Sequence, residues 1–146
     1  MSEKSMRAKA YFEEGYNCCQ AVVLTYAEEV GLDQETALKI AASFGGGMGQ
    51  LREVCGAVTG MFIVEGMKHG YTSPTDKVSK KAHYQRIQDL AAKFREKNGS
   101  IVCKELLGLT AKPKEANPAE RTAEYYKKRP CADLVECAAA IVEKTL

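Results

Sequence analysis

Six cysteines occupy positions 18, 19, 55, 103, 131 and 137 of this 146-residue chain, and at least three of them fall beside the start of a predicted helix. A helix N-terminus leaves backbone N–H groups without intrahelical partners and carries partial positive charge. Both favour the thiolate, the form of cysteine that attacks disulfides and binds metals. None of the spacings is that of a thioredoxin pair or a standard metal motif. Any shared chemistry must therefore be assembled in three dimensions.

The elements that would position these sulfurs are helical nearly throughout. A first helix is expected from Glu3 to Glu14, stopped by Gly15. Asn17 reads as an N-cap and Gln20 completes a capping box, so Cys18 opens a second helix with Val22, Val23, Tyr26, Ala27 and Val30 inward. Asp33 caps a third helix, whose face is Ala37, Ile40, Ala41 and Phe44, and Gly45-Gly46-Gly47-Met48-Gly49 breaks it. A fourth is expected from Leu51 or Arg52 to His69, apolar nearly all round and therefore central. Ser73-Pro74 opens a fifth, with Val78, Ala82, Ile87, Leu90, Ala91 and Phe94 buried, ending at Asn98-Gly99. Ser100 caps a short sixth that reaches Leu107. Residues 109 to 118 read as a surface loop, followed by a short helix from Ala119 to about Lys128. Pro130 opens the last helix, striped by Leu134, Val135, Ala138, Ile141 and Val142. No stretch alternates with period two long enough to argue for a sheet. The expected fold is all-α, one domain over residues 1–146 built as a bundle of about six to eight helices.

At about 100° per residue the cysteines separate into kinds. Cys131 lies on the buried stripe of the last helix and in its first turn, while Cys137 sits at the stripe's edge. Cys103 points inward with Leu106 and Leu107. Cys55 stands in line with Val58 and Phe62. Cys19 falls on the inner face of its helix and reads as a small core hydrophobe, which leaves Cys18, nearest the helix start, as the reactive member of the adjacent pair. A vicinal disulfide between the two would fight the helix.

Two glycine-rich features accompany the cysteines. Gly45, Gly46 and Gly47 could turn backbone N–H groups toward an anion, but the run follows no strand and lacks a phosphate loop's Gly-Lys-Ser/Thr ending. A flexible break that admits other segments to Cys55 is the favoured reading. Gly56 and Gly60 lie four apart on the central helix, where glycine costs about 1 kcal/mol, and so suggest close approach of a neighbouring helix or a ligand. His69 and His83 read as solvated or capping groups. No general base stands beside a cysteine, which disfavours a cysteine hydrolase.

The well-mixed charge, 21 basic against 19 acidic residues, supplies no nucleic-acid footprint. The basic run Lys77 to Lys81 reads as a solvated helix face. The polar N-terminus has no apolar segment, so neither secretion nor membrane insertion is expected, and a reducing cytoplasm is the expected setting. The chain is long enough to fold without disulfides. So much apolar helix surface in one short chain would suit a homodimer.

Asn17-Cys18 before Gln20-Ala21-Val22, the run Gly45 to Gly49, and Glu53-Val54-Cys55-Gly56-Ala57-Val58-Thr59-Gly60 together resemble the C_GCAxxG_C_C family of redox-active proteins of bacteria and archaea. The segments Phe94 to Cys103 and Cys131 to Ile141 fit as well, so the resemblance spans nearly the whole chain. It implies a small helical domain whose four defining cysteines correspond to Cys18, Cys55, Cys103 and Cys131. Cys131 is preferred to Cys137 because Val135, Ala138 and Ile141 follow it at the family's offsets. The block reads Cys-Gly-Ala here, where the family's label writes Gly-Cys-Ala, and Cys19 is an extra.

Three functions stay open at this point. The first is thiol–disulfide exchange or electron transfer with an unidentified redox partner, Cys18 or Cys131 attacking and Cys55 or Cys103 resolving. The second is an iron–sulfur cluster or zinc held by the same four cysteines; the domain's similarity to part of the split-Soret cytochromes keeps it in view. Against it, separations of 37, 48 and 28 positions (18 to 55, 55 to 103, 103 to 131) match no standard ligand motif. The third is a non-enzymatic accessory of a transporter system, since family members are often encoded near transporters.

Overall fold

The computed structural model describes residues 2–108, 121 and 129–146. Its helices are α1 (Glu3–Glu14), α2 (Cys18–Tyr26), α3 (Gln34–Ala42), the one-turn α4 (Gly45–Met48), α5 (Gly56–His69), α6 (Lys77–Asn98), the short α7 (Cys103–Leu106) and α8 (Cys131–Glu143). Among the described residues there is no strand, and one isolated antiparallel bridge joins Val54 to Val102. The all-α expectation therefore holds. No described helix is long and apolar enough to cross a membrane.

Helices α2, α5 and α8 form the centre, with α1 laid against α8 and α6 along α5. Their facing stripes supply the core: Val22, Val23 and Tyr26 from α2, Val58, Met61 and Val64 from α5, Leu134, Val135, Ile141 and Val142 from α8. Tyr26 is fully buried and donates its hydroxyl to the Ala139 carbonyl at 2.6 Å, which satisfies its polar tip inside the apolar layer. Gly60 of α5 lies so close to α2 that an added Cβ would stand 2.8 Å from the Val22 Cβ. A helix–helix approach is thus what this glycine provides.

The capping signals position the first helices as the sequence predicts. Asn17 Oδ1 accepts from the Gln20 amide at 2.8 Å, while Gln20 Oε1 accepts from the Asn17 amide at 3.1 Å. Elsewhere tertiary pairing moves the boundaries. The central helix begins at Gly56 and not at Leu51 or Arg52, with Cys55 as its N-cap. Residues 52 to 55 instead pair with 101 to 104 around the Val54–Val102 bridge: the Cys55 amide donates to the Ile101 carbonyl at 2.8 Å and the Lys104 amide to that of Arg52 at 3.2 Å. The same pairing delays the next helix to Cys103, so Ser100 does not cap it; its hydroxyl accepts from the Val102 amide and donates to Glu105. The long α6 starts at Lys77 under an Asp76 cap and not at Ser73-Pro74.

Three expected core positions face water. Val78, in the first turn of α6, is 81% exposed, Ala82 one turn on is exposed too, and Ile40 of α3 is 41% exposed. The buried residues of the 22-residue α6 begin only at His83, so its opening turn adds nothing to the core. The expected loop at 109 to 118 and the helix from Ala119 to Lys128 lie outside the described residues, Arg121 excepted.

Glycines 60 and 66 of α5 offer a matched test of this packing. Nothing lies within 4 Å of a Cβ placed at Gly66. Urea unfolding should find Gly60→Ala destabilised by about 1–3 kcal/mol through overpacking, whereas Gly66→Ala should gain about 0.5–1 kcal/mol from the lower entropy of its unfolded chain.

Candidate functional site

The four cysteines singled out in the sequence all line one cavity of about 350 Å³. Each enters at the start of a helix. Cys18 is the first residue of α2, Cys131 the first of α8, Cys55 the N-cap of α5, and Cys103 opens α7. Cys19 and Cys137 do not line it. Cys19 is fully buried in the core, and Cys137 is half-buried and accepts a hydrogen bond from Asn98 Nδ2 at 3.4 Å.

Backbone pairing sets Cys55 and Cys103 on either side of the antiparallel Val54–Val102 bridge, diagonally placed: the Cys55 amide donates to the Ile101 carbonyl at 2.8 Å and the Cys103 amide to the Glu53 carbonyl at 2.5 Å. Gly56, next to Cys55, lets α5 meet α2: an added Cβ would lie 3.1 Å from the Cys18 Cβ and 2.9 Å from the Phe44 carbonyl oxygen. Asn17, having capped α2, donates from Nδ2 to the Ala42 carbonyl at 3.1 Å and so ties Cys18 to the end of α3.

The glycine run is not a flexible break. Gly46, Gly47, Met48, Gly49 and Gln50 all have positive φ, between 59° and 71°, which makes a left-handed turn closed by amides of Gln50, Arg52 and Glu53 donating back to Gly45, Gly46 and Gly47. Holding L-residues such as Met48, Gln50 and Arg52 there costs about 1–2 kcal/mol each. The turn brings Gly47 against the cysteines, where an added Cβ would stand 2.6 Å from the Cys103 Cβ and 2.8 Å from the Arg52 Cα. Gly45, Gly46, Gly47 and Gly56 line the cavity, whereas Gly60 serves the α2–α5 contact.

Burial governs the charge state of these thiols. Desolvation pushes Cys55 up to about 12, although the Ala57 and Val58 amides at the helix start pull the other way; they close no capping hydrogen bond to its side chain. Cys103 is also raised by desolvation, partly offset by Arg52, whose Nη1 lies 3.8 Å from the Cys103 sulfur. Cys18 is held well above the ordinary thiol value, first by a hydrogen bond with Cys131 and then by desolvation. Burial therefore outweighs the pull of the helix start at Cys18 and at Cys55. The partial charges of helix ends are worth about 0.3–2 kcal/mol, less than the desolvation of a buried anion.

A side-chain hydrogen bond joins Cys18 and Cys131, and it is the first cause that holds the Cys18 thiol in its protonated form. The six cysteines are thiols, not disulfides. Zinc or an iron–sulfur cluster would require three or four sulfurs in one ligand shell. Among the described residues no group of three or more His, Cys, Asp or Glu side chains forms such a shell, so no step is derived through a metal.

Several lining residues escape the sequence reading. Arg52, Arg121 and Arg129 face the cavity, with Phe12, Leu106, Leu107 and Leu134 as apolar walls. Arg52 stands three positions before Cys55 and Arg129 two before Cys131, a proximity that a balanced overall charge conceals. His83 departs from expectation in being buried, whereas His69 is exposed at the end of α5, with Nδ1 3.0 Å from the fully buried Glu65. Neither lines the cysteine cavity.

A family model described as "Putative redox-active protein (C_GCAxxG_C_C)" matches residues 16–145. No curated protein and no solved structure matches the chain.

Raised buried thiols link stability to alkaline pH. Cys19, pushed up to about 12 by desolvation, stays neutral in the folded chain while its unfolded counterpart ionises near the ordinary value of 9.0. Its stabilisation is complete below pH 9 and is lost as pH rises from 9 toward 12. Between pH 8 and pH 10 the wild type should lose about 1.4 kcal/mol through this group, and Cys19→Ala should show that much less pH dependence in denaturant titrations.

Proposed function

Since the chain belongs to the C_GCAxxG_C_C family of putative redox-active proteins, we propose that it carries out thiol–disulfide exchange with Cys131 as the attacking sulfur and Cys18 as the resolving one. The observation that supports this most directly is the hydrogen bond between Cys18 and Cys131, both of which line the shared cavity. With Cys18 as its donor, that bond stabilises negative charge on Cys131 and keeps the Cys18 sulfur protonated until needed. The start of α8 adds its N–H groups to the same sulfur's surroundings.

The steps balance without a metal. Cys131 as thiolate attacks one sulfur of a substrate disulfide, forms a mixed disulfide and expels the other sulfur as a thiolate. Cys18 then releases its proton to that leaving group and attacks the mixed disulfide at the Cys131 sulfur, expelling the second substrate sulfur as a thiolate that takes up the proton Cys131 gave to solvent on ionising. Two protein thiols are oxidised to one Cys18–Cys131 disulfide, and one substrate disulfide is reduced to two thiols.

Peptide mapping by mass spectrometry after one equivalent of diamide should find the new bond between Cys18 and Cys131. A bond confined to Cys55 and Cys103, or none within the chain, would exclude the assignment. In Cys18→Ser the mixed disulfide should persist as an intact-mass adduct on Cys131. Cys131→Ser should react at least about 100-fold more slowly with the same disulfide.

A further inference from the structure

Three guanidinium groups, those of Arg52, Arg121 and Arg129, line the cysteine cavity, and no Asp or Glu lines it among the described residues. Two of them are held by uncharged partners. Arg52 reaches the Cys103 sulfur and donates from Nη2 to Gln50 Oε1 at 3.2 Å. Arg121 donates to the backbone carbonyls of Phe12 and Tyr16, the latter at 2.9 Å, and its guanidinium stacks 4.0 Å from the centroid of the Phe12 ring. Such contacts fix a guanidinium without neutralising it. The cavity lining thus combines sulfur with cationic groups.

A guanidinium prefers planar anions, which it can bind through two parallel hydrogen bonds. The volume of about 350 Å³ lies at the small end of ligand clefts, which run from about 300 to 1,000 Å³. We propose that the substrate of this cavity is a low-molecular-weight disulfide bearing carboxylates, held by Arg52, Arg121 and Arg129 while its S–S bond meets Cys131. The inference rests on the thiol–disulfide reading above and names its substrate class. One such disulfide and the two thiols of Cys18 and Cys131 yield the protein disulfide and two small carboxylate-bearing thiols. The arginines also oppose the negative charge that develops on the sulfur that leaves.

The test compares three disulfides of similar size and different charge: the dianion 3,3′-dithiodipropionate, neutral bis(2-hydroxyethyl) disulfide and the dication cystamine. Each is mixed with the reduced full-length protein in a single turnover, and each rate is divided by that of the same disulfide with dithiothreitol. The dianion should exceed the neutral compound by about 10- to 10³-fold, with the dication slowest. Raising salt from about 0.05 to about 0.5 M should shrink the ratio, as should Arg52→Gln and Arg129→Gln. A normalised ratio of one or less in the wild type overturns the proposal, and the salt series applies even where a variant fails to fold. A ratio unchanged in both variants overturns the arginine assignment. If all three disulfides react equally and leave a Cys18–Cys131 bond, only the charge preference fails. If none reacts, the exchange reading fails with it.

Discussion

Four chain segments arrive end-on at one cavity, and everything chemical about this protein depends on that convergence. A side chain at the start of a helix points past the last turn of backbone, so cysteines from α2, α5, α7 and α8 can face each other without crossing a packed helical stripe. The arrangement is held at its periphery by backbone contacts. The backbone pairing of 52–55 with 101–104 places two of the sulfurs, while Asn17 ties the start of α2 to the end of α3 and Gly56 lets α5 meet α2.

The site sets two opposing effects against each other. Helix starts and arginines favour anionic sulfur, while enclosure disfavours it. For Cys55 the balance falls to enclosure, and its thiol is pushed up to about 12. Such thiols are protected from adventitious oxidation, because the thiolate is the form that oxidants attack. A hydrogen bond between two thiols is the local way around that protection, since one sulfur can take charge while its neighbour keeps the proton. The Cys18–Cys131 pair has this form.

Away from the cavity, a second polar group is buried in the bundle. Glu65 is fully enclosed, with His69 at 3.0 Å, the Thr145 hydroxyl at 3.3 Å and Arg86 Nε at 3.9 Å from its oxygens. It joins the C-terminal end of α5 to α6 and to the segment after α8. Buried ionic groups of this kind contribute less to stability than their contacts suggest, because removing charge from water offsets the attraction. Their geometry does restrict how the helices can slide.

Local sequence determined the helices with strong caps and clean stripes. Asn17 and Gln20 specify the start of α2 because a capping box is a contact among four consecutive residues, and the stripe of α8 needs no partner to be recognised. The four cysteines were legible too, from their places at helix starts and from the family blocks around them. Tertiary structure alone decided the rest. The Val54–Val102 bridge joins residues 48 positions apart and shortens α5, and the left-handed turn at 46 to 50 depends on carbonyls and amides that no periodicity reveals. The contact of Cys18 with Cys131 unites the first third of the chain with its last helix. The cationic lining likewise depends on folding, since arginines at 52, 121 and 129 look solvated one by one and share a cavity only in the folded chain. Short-range hydrogen bonding is written in neighbouring letters, whereas charge and desolvation in a cavity depend on every segment that closes it.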